Sequence, residues 1–237
     1  MKELEDFEWF PKILRQYQTD FIGFVVSQFK VYSPFISQLK NDKPQNKHMF
    51  DLCSGSGEPA ISIFKTIDYF ESLTLSDKFP STSKTLIAPM AYIPEPMDVL
   101  IQNFQPSYTY TMFNALHHFN DKQQQLIVLN MKAQKAEAYF VEILAPHFLF
   151  YLKILFTTTI GTLLFTPFIK PFSLKRLFFT YCIPINIITI TYDGLLSVYK
   201  SKSVRQYQKL FTGLIAPTEI FELKKGLFSL IVIKIKS

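Results

Sequence analysis

The stretch Met49-Phe-Asp-Leu-Cys-Ser-Gly-Ser-Gly-Glu-Pro-Ala-Ile-Ser-Ile-Phe64 constrains the fold more than any other part of this chain. A short apolar run ends in Asp51-Leu-Cys-Ser-Gly, and apolar residues then return at helical spacing at Ala60, Ile61, Ile63, Phe64 and Ile67. Pro59 stands early in that helix, where its missing N–H leaves no bond unmade. A strand that passes through glycines into a helix gathers backbone N–H groups and the positive end of a helix dipole at one point. Gly55 and Gly57 allow φ > 0 there and put no Cβ in the way of a ligand.

The surrounding pattern repeats the motif's logic. Residues 73–76 read as a second strand closed by Asp77, residues 107–113 as a third, and residues 138–144 as a fourth. Asn120-Asp121 caps a helix running through Met131. The rhythm over residues 49–144 predicts a mostly parallel sheet with helices on both faces. Before it, residues 10–40 read as one or two helices with Pro34 between them, followed by a polar loop over 40–47. After it, residues 185–192 are rich in β-branched side chains and end at Asp193-Gly194, which predicts a strand and a turn. Residues 203–214 read as a short helix and 227–235 as a strong terminal strand. The expected organisation is an N-terminal helical part (1–47), a ligand-binding core (48–145), an apolar helical insertion (146–182) and a closing hairpin with an intervening helix (183–237). Tyr17 and Phe21 place the first part as a lid or as plain packing.

Composition narrows the class. Two cysteines, Cys53 and Cys182, build no disulfide framework, and both are expected to be buried, reduced thiols of a cytoplasmic protein. With His48 they give no metal-ligand spacing, so no metal is expected. The acidic start, with Glu3, Glu5, Asp6 and Glu8, is not a secretory signal. A net charge of +6 carried by scattered Lys and Arg gives no nucleic-acid stripe. Phe occurs 25 times, more than a core of this size needs, which points some of it at lipid, a greasy ligand or a partner. Residues 148–169 hold one charge, Lys153, and as a helix would reach roughly 33 Å. Three dispositions stay open: a span, a surface-seated helix pair with peripheral membrane contact through 148–177, or helices packed over the domain. Thr157, Thr158, Thr159, Thr162, Thr166, Gly161 and Pro167 weigh against a span.

The glycine turn suits two ligand classes, a dinucleotide or S-adenosylmethionine, and a plain helix cap with no ligand is the alternative. In the spacing D-x-C-x-G-x-G, Asp51 would repel a pyrophosphate but can accept from the ammonium of an amino-acid moiety. Asp77, 26 residues further on at the next strand end, can take ribose hydroxyls. His117 and His118 follow the third strand at the edge where ligands of open sheets sit. Either one orients or deprotonates an acceptor group, or each is a packing or capping residue. Adjacent side chains are expected to diverge, so a shared metal is not.

At this point the chain resembles a class I S-adenosylmethionine-dependent methyltransferase of a poorly characterised bacterial branch. FDLCSGSGEP is similar to the glycine-rich first motif, with Cys53 where a glycine is usual; LTLSDKFP resembles the second motif; and YIPEPMDVL resembles the third. TMFNALHHF and YDGLLSVYKS resemble variant motifs of that branch. The resemblance implies an α/β Rossmann-like sheet of order 3-2-1-4-5-7-6, with residues 185–192 and 227–235 as its closing hairpin. It implies S-adenosyl-L-methionine as cofactor, bound by Asp51, Cys53, Ser54, Gly55, Gly57, Asp77, Asp98 and Phe113. His117, His118 and Asn114 become the candidate catalytic residues, and Asp193 is expected near the site's mouth. No Asn-Pro-Pro-Tyr signature is present, which argues against methylation of nucleic-acid bases. The expected acceptor is an apolar or lipid-like small molecule of quinone or isoprenoid kind, met at the inner face of a membrane. A catalytically silent membrane-associated scaffold and a nucleotide-dependent oxidoreductase are the other readings.

Overall fold

The structure, a computed structural model, describes residues 1–81, 86–214, 218–225 and 228–236. Seven strands form one sheet in the order β3-β2-β1-β4-β5-β7-β6. They are β1 (His48–Leu52), β2 (Ser72–Leu75), β3 (Met90–Tyr92), β4 (Thr109–Phe113), β5 (Glu137–Glu142), β6 (Thr218–Lys225) and β7 (Phe228–Ile235). The first five run parallel, so Leu52, Leu75, Phe113 and Glu142 all end at one edge of the sheet. β7 lies antiparallel to both β5 and β6.

Period-two alternation divides the strands between two cores. Phe50, Leu52, Tyr110, Met112, Ala138 and Phe140 pack with Ile127, Val128 and Met131 of helix α4 (Asp121–Ala133) and with Tyr207 and Phe211 of α9 (Val204–Phe211). Met49, Leu73, Leu75, Tyr139 and Val141 face the other way. They meet Val26 of α1 (Lys12–Gln28), Phe35 and Leu39 of α2 (Ser33–Asp42), and Ile61 and Ile63 of α3 (Ala60–Thr66). Asn120 caps α4 as the sequence predicts, accepting from the Gln123 N–H while Gln123 accepts from its own.

Two expectations are corrected. Residues 185–192 are not a hairpin strand but the first half of helix α8 (Ile185–Lys200), and Asp193-Gly194 lies within it rather than in a turn. Buried Asn186, Thr189, Ile190, Asp193, Leu196 and Ser197 recur with a helical period, and packing against α1 and α5 (Phe148–Phe156) overrides the strand preference of the β-branched residues. The hairpin is β6 with β7; Leu227, where the terminal strand was expected to begin, lies outside the described residues. Cys182 is exposed and Cys53 partly so, against the expectation of two buried thiols.

Between β5 and β6 the chain builds a helical layer with its polarity turned inside out. Phe148–Phe168 is one continuous helical run, long and apolar enough to cross a membrane; Leu174–Tyr181 and Ile185–Lys200 would do so only together, bent by 77°. Thr158, Thr162 and Thr166 are buried, their hydroxyls returned to the carbonyls of Ile154, Thr158 and Thr162, while Phe148, Leu149, Phe156, Leu164 and Phe168 are each more than half exposed. Polar side chains are buried along the next two helices as well, beside Ile190, Leu196 and Val198 of α8. Arg176, Thr180, Asn186, Thr189 and Ser197 are buried, whereas Leu174, Ile183 and Ile188 face out.

At the heart of this layer Arg176 of α7 (Leu174–Leu177) pairs with Asp20 of α1, donates to the carbonyls of Ile169 and Pro171, and lies 4.9 Å from the Tyr17 ring. Both charges are almost fully buried. Losing one partner of such a pair strands the other, so Asp20→Ala is expected to cost about 3–5 kcal/mol in urea unfolding. An apolar replacement of both, Asp20→Leu with Arg176→Met, should recover most of it; equal losses in the single and double variants would contradict this role.

Candidate functional site

The carboxyl edge of β1 carries the glycine turn. Cys53 takes φ 55°, Gly55 52° and Gly57 88°, so the chain folds back sharply before α3. Gly57 has no alternative: a Cβ there would sit 2.7 Å from the Ile61 side chain and 2.9 Å from that of Leu75. Ser54 ties the turn to the neighbouring strand, its N–H donating to the Ser76 carbonyl at 2.9 Å and its hydroxyl to the Asp51 carbonyl at 2.9 Å.

The two predicted anchors adjoin. The Gly55 N–H donates to Asp77 Oδ2 at 2.8 Å, and the other Asp77 oxygen accepts from the Phe79 N–H at 2.8 Å. Burial raises the pKa of Asp77, against the pull of those two N–H groups. Asp51 is wholly buried and accepts from the Thr111 hydroxyl of β4 at 2.6 Å. Burial lifts its pKa to about 7 against the hydrogen bonds from Thr111 and Ser54. Asp98 lies on the adjoining loop, where Met97 N–H meets the Asp77 carbonyl; its carboxylate accepts from the Leu100 N–H at 3.0 Å.

Helix α1 closes over the turn. The Ser56 hydroxyl donates to the Thr19 carbonyl at 3.0 Å, and a Cβ on Gly23 would stand 2.6 Å from Ser56 Oγ. Tyr92 donates to the Gly55 carbonyl at 2.9 Å from the other side. Tyr17 packs with Phe10 and Leu14, and Phe21 with Ile169 and Ile190, so neither reaches the turn itself.

A second group of residues gathers beyond β4 and β5. Phe113 packs edge-on against Tyr32 and Phe35. Asn114, at φ 49°, clips the two strand ends together, donating its N–H to the Val141 carbonyl and accepting from the Ile143 N–H. His117 and His118 then sit on a 3-10 turn (Leu116–His118), and the expected divergence of their rings is corrected: the ring centroids are 4.6 Å apart. Both Nε2 atoms face the Glu3 carboxylate, at 3.9 Å from His117 and 3.4 Å from His118. Each Nδ1 rests on another carboxylate, Glu142 at 2.7 Å for His117 and Asp6 at 2.9 Å for His118.

The N-terminal 3-10 turn (Leu4–Asp6) brings these acids in. Asp193, expected at the site's mouth, is buried instead and anchors that turn by accepting from the Leu4 N–H at 2.7 Å, the Glu5 N–H at 3.2 Å and Gln18 at 2.9 Å. Lys200 reaches Glu3 at 2.9 Å. Burial opposes charge on His118, yet Glu3, Asp6 and Glu5 carry its pKa up to about 10. Burial, reinforced by Glu3, Asp193 and Asp6 against His118, raises Glu5 to about 8.

Glu3, Glu5, Asp6, Glu142, Lys200 and Tyr92 were not among the candidates from sequence. Glu142 alone carried a local signal, an acid inside an otherwise apolar strand.

No family profile matches the sequence, and no curated protein resembles it in sequence. Solved structures do resemble it in shape. LepI in complex with SAM superposes at a TM-score of 0.50 and 12% identity, covering 84% of this chain and 46% of its own. Human N-acetylserotonin methyltransferase in complex with SAM gives 0.50 and 12%, covering 90% and 55%. LaPhzM gives 0.50 and 12%, covering 85% and 56%. The fold is that of the class I methyltransferases. This chain spans about half the length of those proteins.

The close approach of α1 to the glycine turn is directly testable. Gly23→Val puts side-chain carbon against Ser56 Oγ and should lift α1 from the turn. It should cost about 1–3 kcal/mol by overpacking and speed amide exchange at Ser56 and Gly57. An unchanged exchange pattern would show that α1 does not hold the turn.

Proposed function

We propose that the protein transfers a methyl group from S-adenosylmethionine to an amphiphilic small molecule presented at a membrane surface. The observation that carries this reading is the direct meeting of the glycine turn and Asp77 at the carboxyl edge of the parallel sheet. The residues present fit the cofactor. Asp51 and the turn over Ser54–Gly57 would receive its amino-acid end, Asp77 its ribose hydroxyls in exchange for the Gly55 N–H, and the Asp98 loop the adenine side. Cofactors crystallised with LepI and with human N-acetylserotonin methyltransferase support the same choice. When bound, the cofactor supplies an electrophilic methyl; the protein's part is to align an acceptor, exclude water and receive a proton.

We assign the receipt of that proton to His117; its Nδ1 bond to Glu142 and its unpartnered Nε2 support the assignment. The charged surroundings of this ring favour a polar acceptor head rather than the wholly apolar acceptor expected from composition. An apolar groove of about 300 Å³ lined by Met1, Tyr192, Leu195, Leu196 and Tyr199 supports an apolar tail on that acceptor. The inverted polarity of the helical layer supports an apolar medium around its outer face.

One observation favours a catalytically silent scaffold instead: Asp77, Tyr92 and α1 already engage the glycine turn. Calorimetric titration with S-adenosylhomocysteine separates the two. Saturable one-to-one binding is expected, followed by transfer of labelled methyl into a lipid extract; no binding would favour the scaffold. Asp51 adds a pH signature. Its raised pKa means that the folded protein without ligand holds a proton that the unfolded chain releases near pH 4, so Asp51 lowers stability progressively as pH rises from about 4 to 7. Pairing with the ligand's ammonium needs the ionised form. Affinity should therefore rise by up to about tenfold per pH unit below pH 7 and level off above it, and Asp51→Asn should flatten the profile. In flotation with phosphatidylcholine–phosphatidylglycerol vesicles the protein should rise with the lipid, and a Phe148→Ser, Leu149→Ser, Phe156→Ser variant should stay at the bottom. A wild-type protein that also stays there would end the membrane reading.

A further inference from the structure

We infer that Glu3, His117 and His118 form a binding site for one divalent transition-metal ion. Their donor atoms lie within 4.8 Å of one another. Donors bound at about 2.0–2.1 Å to a tetrahedral ion stand roughly 3.4 Å apart. Glu3 Oε2 lies 3.4 Å from His118 Nε2 and Glu3 Oε1 3.9 Å from His117 Nε2, so a turn of the carboxylate with no rearrangement of the backbone approaches that spacing.

The surroundings have the form that metal-binding histidines require. Each ring has Nδ1 on a carboxylate, which fixes its orientation and turns Nε2 towards Glu3. His118, held protonated by the acids around it, would release that proton on binding an ion. His117 Nε2 is buried, has no hydrogen-bond partner and is aimed at Glu3, so a polar atom that ordinarily would be satisfied points into the same small space as the other two donors. Five carboxylates surround that space (Glu3, Glu5, Asp6, Glu142 and Asp193), against Lys200 and, beside Glu5 and Asp6, Arg15. Nitrogen and oxygen donors in this ratio suit Zn²⁺ or a neighbouring first-row ion better than Ca²⁺ or Mg²⁺.

Together with His118, Lys200 now supplies the counter-charge of Glu3. A bound ion would replace it, and the lysine, which is 14% exposed, can swing outward. The set leaves a fourth position open, as sites that act on a substrate do. There the ion would hold the acceptor's oxygen, with His117 as a ligand in place of a base, a consequence that rests on the methyltransferase reading, although the binding itself does not.

The test is Zn²⁺ titration of the chelator-stripped full chain, without cofactor, by competition with a chromophoric chelator. One Zn²⁺ per chain with a dissociation constant at or below the micromolar range is expected. His118→Gln and Glu3→Gln should each weaken it at least tenfold, and Lys200→Met should tighten it. Co²⁺ in place of Zn²⁺ should give the visible absorption of a four-coordinate site in the wild-type protein, a readout that needs no variant to fold. Absence of saturable binding to the folded wild-type chain, or binding unchanged in a folded His118→Gln or Glu3→Gln protein, would overturn the proposal. Failure of S-adenosylhomocysteine binding alongside intact Zn²⁺ binding would instead remove the methyltransferase reading and leave the metal site standing.

Discussion

The seating of helix α1 on the glycine turn is the contact on which the rest of the architecture depends. It needs a residue without a side chain at Gly23 and a hydroxyl at Ser56 that donates to the Thr19 carbonyl. From the same helix Asp20 reaches Arg176 and Gln18 reaches Asp193, so α1 links the turn to the helical layer and to the histidine cluster. One short interface thus fixes the two halves of the candidate site relative to each other.

Charge is distributed against the usual rule in both halves. Asp51, Asp77 and Glu142 are buried at the strand ends, where hydrogen bonds from Thr111, Gly55, Phe79 and the Leu116 N–H satisfy them. The helical layer buries hydroxyls, an amide and a guanidinium, and presents phenylalanine and leucine outward. A protein surrounded by water on all sides gains from the reverse arrangement. The outward face of the layer is what motivates the proposed membrane contact, and the buried carboxylates at the strand ends the proposed ligand.

Much of the fold was legible because it is local. Strands β1, β2 and β4 announce themselves by apolar runs closed by Asp, Gly or Asn, β5 by an apolar run that stops at Pro146, and α4 by its Asn120 cap. Residues 185–192 misled because isoleucine and threonine favour strands, while the helical recurrence of Asn186, Thr189 and Asp193 has meaning only once their partners on α1 and the N-terminal turn are known. The glycine turn and Asp77 were readable from spacing. The histidine cluster was not, since Asp6 and His118 stand 112 residues apart and Glu3 and Lys200 stand 197 apart. Acids at the start of a chain look like solvated charge until the fold shows where they go.

That separation has a consequence for folding. The turn at Leu4–Asp6 is pinned by Asp193 and Lys200, and its bond from the Leu4 N–H to Asp193 closes a loop of 189 residues. Closing so long a loop costs entropy that no local contact offsets, so it is favoured once packing of α1 against α8 has already brought the two ends together. The histidine cluster is thus a late product of folding, assembled on a sheet and a helical layer that form without it.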